Sequence, residues 1–409
     1  MLGLLGGGQL GRMFTMAAQS MGYRVTVLDP ANESPSGSIA ERHLRADYLD
    51  SGALNELAST CAAVTTEFEN VPAEALRLLA EHCVVSPAAK SVAIAQNRIF
   101  EKNFLAANGF GVAPYAVIQN SLDSANVDGP RNPEVVLPQK QPQLFPGLFP
   151  GILKVSRFGY DGKGQKRVNN TAELDYALSG MNGEPCVLEK LLPLESEVSV
   201  VVSRGFDNEV ATFPVAENQH RNGILDVSIV PARVSPAIVQ NARDIAIRVV
   251  EKLDYRGVLC VEFFVLADGR LLVNEIAPRP HNSGHYSIDA CVTSQFEQQV
   301  RVLCGLPLGS TAMHGPAVMV NLLGDLWQRG EPEWEQVLRH PNVKLHLYGK
   351  LEARPGRKMG HYTVLSDAAE TALQLALEIK QALQREHHHI LERNEHRPDE
   401  KQDRPSRAV

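Results

Sequence analysis

Short apolar runs alternate with longer amphipathic stretches over the first 85 residues. Leu2–Leu5, Arg24–Leu28 and Ala63–Thr66 have strand length, while 9–21 and 72–82 carry apolar residues at helical spacing. Short strands separated by crossover helices predict a doubly wound α/β unit. The pattern changes at Ser86-Pro87, after which one helix is predicted over Val92–Asn108. Residues 119–150 are rich in Pro, Gln, Asn and Gly and lack periodicity, which predicts a surface insertion at about 124–148. Beyond it, β segments dominate: Gly151–Val155, Cys186–Glu189, Val198–Val202, Val210–Phe213 and Ile224–Val230. Helices are predicted at Ile238–Leu253, 288–303 and Ala368–Leu383, with short strands at Val318–Leu322 and Lys344–Leu347. The expected division is an α/β domain at 1–95, a central domain at 96–305 and a small β-rich domain at 306–384. The charged segment 385–409 is expected to be disordered, with His387–His389 solvated.

The most informative pattern lies at 258–285, where two apolar runs flank the turn Ala267-Asp268-Gly269-Arg270 and predict a β-hairpin. Each strand carries a carboxylate inside its apolar run, Glu262 and Glu275. A buried charge costs several kcal/mol unless it is neutralised, and two carboxylates on neighbouring strands repel each other. A hard divalent cation between them removes both penalties, and Mg²⁺ is commonly held by one or two carboxylates plus substrate phosphates. Asn274 adds a neutral oxygen, and Arg279, His281, Asn282 and His285 follow as a cluster suited to an anion. The competing reading is an amphipathic hairpin with both Glu side chains in water.

Composition narrows the function classes. The 409 residues are 44% hydrophobic and 21% charged, ordinary values for a globular protein of two or three domains. A formal net charge of −7 argues against general nucleic-acid binding. No apolar run approaches the roughly 20 residues of a membrane span, and Met1-Leu-Gly-Leu-Leu lacks the basic start of a signal peptide. The six cysteines show no Cys-x-x-Cys spacing and read as reduced core residues of a cytoplasmic protein.

Four further stretches carry candidate chemistry. Gly6-Gly-Gly8-Gln-Leu-Gly11 follows a strand and opens a helix, with Asp29 ending the next strand. That is the mechanical pattern of a dinucleotide turn, although the same turn serves other anions or close packing. Lys154 through Lys166 contains Gly159, Tyr160, Asp161, Gly162, Lys163 and Gly164, a glycine-rich turn suited to covering nucleotide phosphates. It is no Walker A loop, because Gly-Lys-[Ser/Thr] is absent. Glu189-Lys190-Leu191-Leu192 ends a strand and, with Glu197, could line an adenine and ribose slot. Tyr348 to His361 gathers cationic side chains, including Lys350 and Arg357, among glycine turns, either a phosphate loop or a solvated basic turn.

Taken together, the glycine-rich turn, the strand end and the Glu…Asn-Glu hairpin resemble the ATP-grasp superfamily. The words GGGQLGRM (6–13), TTEFENV (65–71), QNR (96–98), RFGYDGKGQ (157–165), NEIAPRPHNSGH (274–285) and YGK…RPGRKMGH (348–361) narrow this resemblance. They are similar to the 5-(carboxyamino)imidazole ribonucleotide synthases, the ATP-dependent carboxylases of purine biosynthesis. The resemblance spans about residues 2–383. It implies a Rossmann-like pre-ATP-grasp domain, an ATP-grasp domain and a β-rich C-terminal domain. It also implies N-carboxylation of 5-aminoimidazole ribonucleotide (AIR) by ATP and bicarbonate through carboxyphosphate. The implied cofactor is one or two Mg²⁺, with Mn²⁺ as a substitute, at Glu262, Glu275 and Asn274. ATP would meet Arg98, Lys154, residues 159–165 (through Gln165), Glu189–Leu192, Glu197, His220, Asn274 and Glu275. Bicarbonate would meet Arg279, His281 and Asn282. AIR would meet Gly8, Gln9, Leu10, Glu69, Tyr160, Asp161, Lys350 and Arg357, with Asp161 the candidate base for the attacking amine. The family habit implies a homodimer that passes its product to a downstream mutase. The insertion at 124–148 and the tail depart from the family pattern.

Other readings remain open at this level. Another ATP-grasp ligase, using biotin or formate, would satisfy the hairpin equally; Gln9, Arg12, Tyr160, Asp161, Lys350 and Arg357 are the discriminating residues. A nicotinamide-dependent oxidoreductase would use the first glycine turn and Asp29 but leave the paired Glu residues unexplained. A degenerate binding module would lack one of the motifs.

Overall fold

The computed structural model describes residues 1–119, 136–137, 146–157, 164–328 and 330–395, with only the backbone at 136–137, 146 and 385–395. Most of the expected insertion, and residues 158–163 of the glycine-rich turn, lie outside the described residues.

The first unit contains β1 (Leu2–Leu5), α1 (Gln9–Ser20), β2 (Val25–Leu28), β3 (Arg42–Leu44), α2 (Ser51–Thr60), β4 (Ala63–Thr66), α3 (Ala73–Leu79) and β5 (Val84–Val85). All five strands are parallel in the order β3-β2-β1-β4-β5. β1, β2 and β4 are buried at every position, as expected of strands covered by helices on both faces. The turn after β1 lies between β1 and β4, where the strand order reverses. Open α/β sheets bind their ligands at this point.

The single helix expected over Val92–Asn108 is two, α4 (Ala89–Ala95) and α5 (Arg98–Ala107). Asn97 breaks it: its side chain accepts the Ile99 N–H and caps α5. Gln96 turns away to donate to the Glu69 and Val71 carbonyls.

The second sheet contains β6 (Tyr115–Ile118), β7 (Val136–Leu137), β8 (Gly151–Val155), β9 (Gln165–Val168) and β10 (Cys186–Lys190), in the order β7-β6-β10-β8-β9, with α6 at Thr171–Ser179.

The third sheet is larger. It contains β11 (Leu194–Arg204), β12 (Val210–Thr212), β13 (Ala216–Arg221), β14 (Ile224–Val230), β15 (Gly257–Leu266), β16 (Leu271–Ala277), β17 (Ala317–Leu323), β18 (Val343–Leu347) and β19 (Lys358–Leu365). Its order is β16-β15-β11-β13-β14-β17-β19-β18, with β12 on β11, so the three C-terminal strands extend the sheet that carries the hairpin. β19 occupies part of the stretch expected to be a basic loop, because its inward residues Tyr362 and Val364 join a buried core.

α7 (Pro236–Lys252) covers one face of this sheet. The helix expected at 288–303 is also divided, into α8 (Ser287–Ala290) and α9 (Gln295–Leu303), the latter capped by Ser294. Phe296, Val300 and Leu303 of α9 pack with Leu10, Met13 and Phe14 of α1, which ties the first unit to the site. α10 (Glu335–Leu338) is short. The last helix, α11, runs from Ala369 to Glu395. The expected disorder from residue 385 is therefore corrected for 385–395, which is helical backbone. No Pro or Gly interrupts the chain between Leu383 and Glu395.

Candidate active site

The hairpin is the frame of the site. β15 and β16 are antiparallel, with Glu262 directly opposite Glu275. A register shift between Glu262 and Phe263 leaves Asn274 as the extra residue of a β-bulge, a device that re-aims side chains beside active sites. Both carboxylates have cationic neighbours. Arg98 Nη1 donates to Glu275 Oε2 at 2.7 Å, and His281 Nε2 lies 3.0 Å from Glu262 Oε1. Burial works to raise the Glu275 carboxyl, but Arg98 and Lys154 overcome it and hold it at about 2.

A divalent cation fits this set. Two carboxylates face each other across one strand pair, and Asn274 Oδ1 is buried with no hydrogen-bond partner among the described residues. Two carboxylates and an unsatisfied amide oxygen on the adjoining residue are the hard oxygen donors that Mg²⁺ prefers.

The nucleotide side is built on the second sheet. Glu189 on β10 is 2% exposed and sits between Lys102 Nζ at 3.2 Å and Lys154 Nζ at 3.0 Å. Burial opposes its ionisation, but the two ammonium groups outweigh it and hold the carboxyl at about 2. Burial pushes Lys154 down. After β10 the chain is pinned to neighbouring loops by backbone bonds, Lys190 N–H to Pro114 and Leu191 N–H to Pro150. Gly164 takes φ +70° at the foot of the glycine-rich turn, and Gln165 begins β9. Glu197 on β11 lies 3.3 Å from His220 Nδ1 on β13; burial disfavours the imidazolium, but Glu197 holds its pKa above the usual value. Gly159, Tyr160, Asp161, Gly162 and Lys163 lie outside the described residues.

Arg279 pairs with Glu69 of the loop after β4, which joins the segment expected for bicarbonate to a residue expected at AIR. Both are half-buried, and each keeps the other charged. Burial disfavours the His281 imidazolium, yet Cys260 and Glu262 beside it hold it up at about 10. Asn282 is held by Asn321: the two amides exchange two hydrogen bonds, at 3.0 and 2.7 Å.

The C-terminal loop reaches across to the first glycine turn. Lys350 Nζ donates to Gln9 Oε1 at 2.5 Å and to the Lys358 carbonyl at 2.6 Å. Arg357 Nη1 donates to the Glu352 carbonyl at 2.8 Å. Gly8 opens α1 and Leu10 lies in the core beneath it.

One residue that sequence reasoning missed changes the meaning of that turn. Glu67 accepts the Gly8 N–H at 2.8 Å and the Gly11 N–H at 3.0 Å, and Asp29 accepts the Gly7 N–H at 2.7 Å. The anion-binding end of α1 is filled by the protein's own carboxylates, and a Cβ at Gly8 would collide with Glu67 Oε1. The backbone N–H groups that would hold a dinucleotide pyrophosphate are thus already engaged, those of Gly8 and Gly11 by Glu67 and that of Gly7 by Asp29. The only sequence signal was a second acidic residue two positions before Glu69. Among the described residues, no helix is long and apolar enough to cross a membrane.

The comparisons agree with this layout. Residues 1–96 match the ribonucleotide synthetase preATP-grasp domain, 140–296 the ATP-grasp domain and 317–375 the phosphoribosylaminoimidazole carboxylase C-terminal domain. The chain is similar to the N5-carboxyaminoimidazole ribonucleotide synthase of Bacillus subtilis, at 42% identity over 375 residues, covering 91% of this chain and 93% of that one. The Brucella melitensis enzyme of the same name is 43% identical over 364 residues, covering 88% and 95%. An ADP complex of an N5-carboxyaminoimidazole ribonucleotide synthetase superposes with a TM-score of 0.82 at 42% identity, covering 93% of this chain and 96% of that one. The Aspergillus clavatus synthase, solved with ADP and 5-aminoimidazole ribonucleotide, gives 0.81 at 32% identity, covering 94% and 98%. With the hairpin, the buried Lys–Glu–Lys triad and all three domains in order, the chain belongs to the N5-carboxyaminoimidazole ribonucleotide synthase family of ATP-grasp ligases.

Proposed function

We infer that this protein is an ADP-forming ligase that carboxylates the exocyclic amine of 5-aminoimidazole ribonucleotide, using ATP and bicarbonate, in purine biosynthesis. The observation that carries the reading is the Arg279–Glu69 pair. It joins the segment after the candidate metal hairpin to the loop beside the first glycine turn, which supports a shared cleft for the reacting phosphate and the acceptor amine.

A bicarbonate oxygen attacks the γ-phosphorus of ATP. The new O–P bond forms as the bond to the β-phosphate oxygen breaks, and ADP leaves. Carboxyphosphate then breaks its C–O bond to give phosphate and CO₂. The amine nitrogen bonds to that carbon and loses one proton. Phosphoryl transfer of this kind depends on positioning and charge neutralisation.

In this reading Arg98, Lys154, Gln165 and the turn at 159–165 hold the phosphates, and Glu189–Leu192 with Glu197 hold adenine and ribose. His220 stands near the phosphates. Glu262, Glu275 and Asn274 would hold Mg²⁺, which neutralises phosphate charge when bound. Arg279 and His281 supply positive charge for bicarbonate and carboxyphosphate. Asn282 is assigned there too, with Asn321 orienting its amide. Gly8, Gln9, Leu10, Glu69, Tyr160, Lys350 and Arg357 take the ribonucleotide, and Asp161 receives the amine proton. We further propose a cytoplasmic homodimer whose product passes to a mutase.

Lys350→Met is expected to raise KM for the ribonucleotide about ten- to a hundredfold, the worth of one charge-assisted hydrogen bond, while KM for ATP stays put. Equal changes in both would remove Lys350 from the acceptor site. The reaction itself is tested by ADP release with ATP, Mg²⁺ and bicarbonate. Stimulation by the aminoimidazole ribonucleotide is expected; stimulation by biotin or formate instead would identify a different ligase.

A further inference from the structure

Helix α5 grips β16 at three consecutive residues. Lys102 Nζ donates to the Asn274 carbonyl at 2.8 Å, Arg98 Nη1 to Glu275 Oε2 at 2.7 Å, and the Ile276 N–H donates to Glu101 Oε1 at 2.5 Å. These residues span the bulge, where the ladder to β15 is interrupted. β16 is the edge strand of its sheet, so its outer backbone groups have no strand partner, and here helix side chains take the Asn274 carbonyl and the Ile276 N–H.

The helix side chains are unusual choices. Glu101 is 2% exposed and Lys102 is fully buried. Burying an ionisable side chain costs several kcal/mol, and burial holds the Glu101 carboxyl up at about 8, so an apolar residue would be the default for a helix that served only as packing. The same helix also touches the nucleotide sheet. Lys102 Nζ lies 3.2 Å from Glu189 Oε2, and the Arg98 N–H donates to the Ser156 carbonyl at 2.9 Å. α5 is therefore a strut between the strand for the nucleotide and the strand for the metal, with no part in the chemistry described above for Glu101.

We propose that Glu101 and Lys102 are positioning residues that hold the β16 bulge so that Asn274 and Glu275 face the cation of the metal–nucleotide complex. This rests on the assignment of the cation to Glu262, Asn274 and Glu275. Partners that orient metal ligands are worth about ten- to a hundredfold in affinity.

The test is calorimetric binding of ADP to the full chain with and without Mg²⁺. Glu101→Ala is expected to weaken binding in Mg²⁺ at least tenfold and to leave metal-free binding within about threefold. Glu101→Gln keeps an acceptor for the Ile276 N–H and should restore most of the loss. Lys102→Met, which leaves Lys154 on Glu189, should show the same metal-selective loss and serves if the alanine variant does not fold. Equal weakening with and without Mg²⁺, or none, would overturn the proposal. Glu275→Ala separates the two levels. If it abolishes the Mg²⁺ effect while Glu101→Ala and Lys102→Met do not touch it, the positioning role is wrong. If Glu275→Ala itself leaves the Mg²⁺ effect intact, the metal assignment has failed and the positioning role falls with it.

Discussion

Glu275→Ala is expected to lower ATP turnover by about 10³-fold or more while the protein stays folded. A metal ion contributes several kcal/mol of charge stabilisation to phosphoryl transfer, and each 1.36 kcal/mol is about tenfold in rate. Glu275 has the central place in the candidate set: it faces Glu262 across the strand pair, adjoins Asn274 and is gripped by Arg98. Its removal also leaves Arg98 without its carboxylate at 11% side-chain exposure, so some stability is lost as well. Glu275→Gln separates the two effects, because the amide keeps an acceptor for Arg98 but lacks the charge that a divalent cation needs. Coupled measurement of ADP release, with circular dichroism to verify folding, decides the matter. Unchanged turnover in either variant would refute the metal assignment.

The largest effect on stability is expected at Glu189. Glu189→Gln should destabilise the fold by about 3–5 kcal/mol, the usual cost of removing one partner from a buried ion pair. Lys102 and Lys154 would be left facing each other in the interior around a neutral amide. The pH dependence follows from the same group. Its carboxyl is held at about 2 in the folded protein against an ordinary value of 4.5. A depressed folded-state pKa contributes stability that is complete above the unfolded value and is lost as pH falls through the folded one. The wild type should therefore lose stability between about pH 4.5 and 2 by about 3 kcal/mol through this group, and the variant should show a shallower acid limb. Denaturant unfolding at neutral and acid pH measures both. Identical acid limbs would remove Glu189 from the account.

The site's frame was legible because its chemistry conflicts with its surroundings. Glu262 and Glu275 stand inside apolar runs of strand length, a conflict that marks the hairpin as a candidate cation site, and the protein's own Arg98 and His281 answer part of it. The α/β unit was equally legible, since β1, β2 and β4 are short, apolar and separated by crossover helices. What stayed hidden depends on contacts far apart in the chain. Glu67 fills the end of α1 from 56 positions away, so the first glycine turn reads as a ligand site until that carboxylate is placed. Lys350 reaches Gln9 across 341 positions, and no local pattern records that. Glu101 and Lys102 look like exposed charges on an amphipathic helix, yet both are buried against β16 and β10. Helix breaks at Asn97 and Ser294 were missed because side-chain caps interrupt a hydrophobic period that carries on through them.

The central claim is that bicarbonate attacks the γ-phosphate of ATP and delivers its carbon to the aminoimidazole ribonucleotide. Bicarbonate labelled with ¹⁸O and ¹³C tests it directly, with mass spectrometry of both the phosphate and the ribonucleotide product. One ¹⁸O is expected in each phosphate released, and ¹³C on the exocyclic nitrogen, in equal amounts. Phosphate free of ¹⁸O, with ADP still formed, would contradict it.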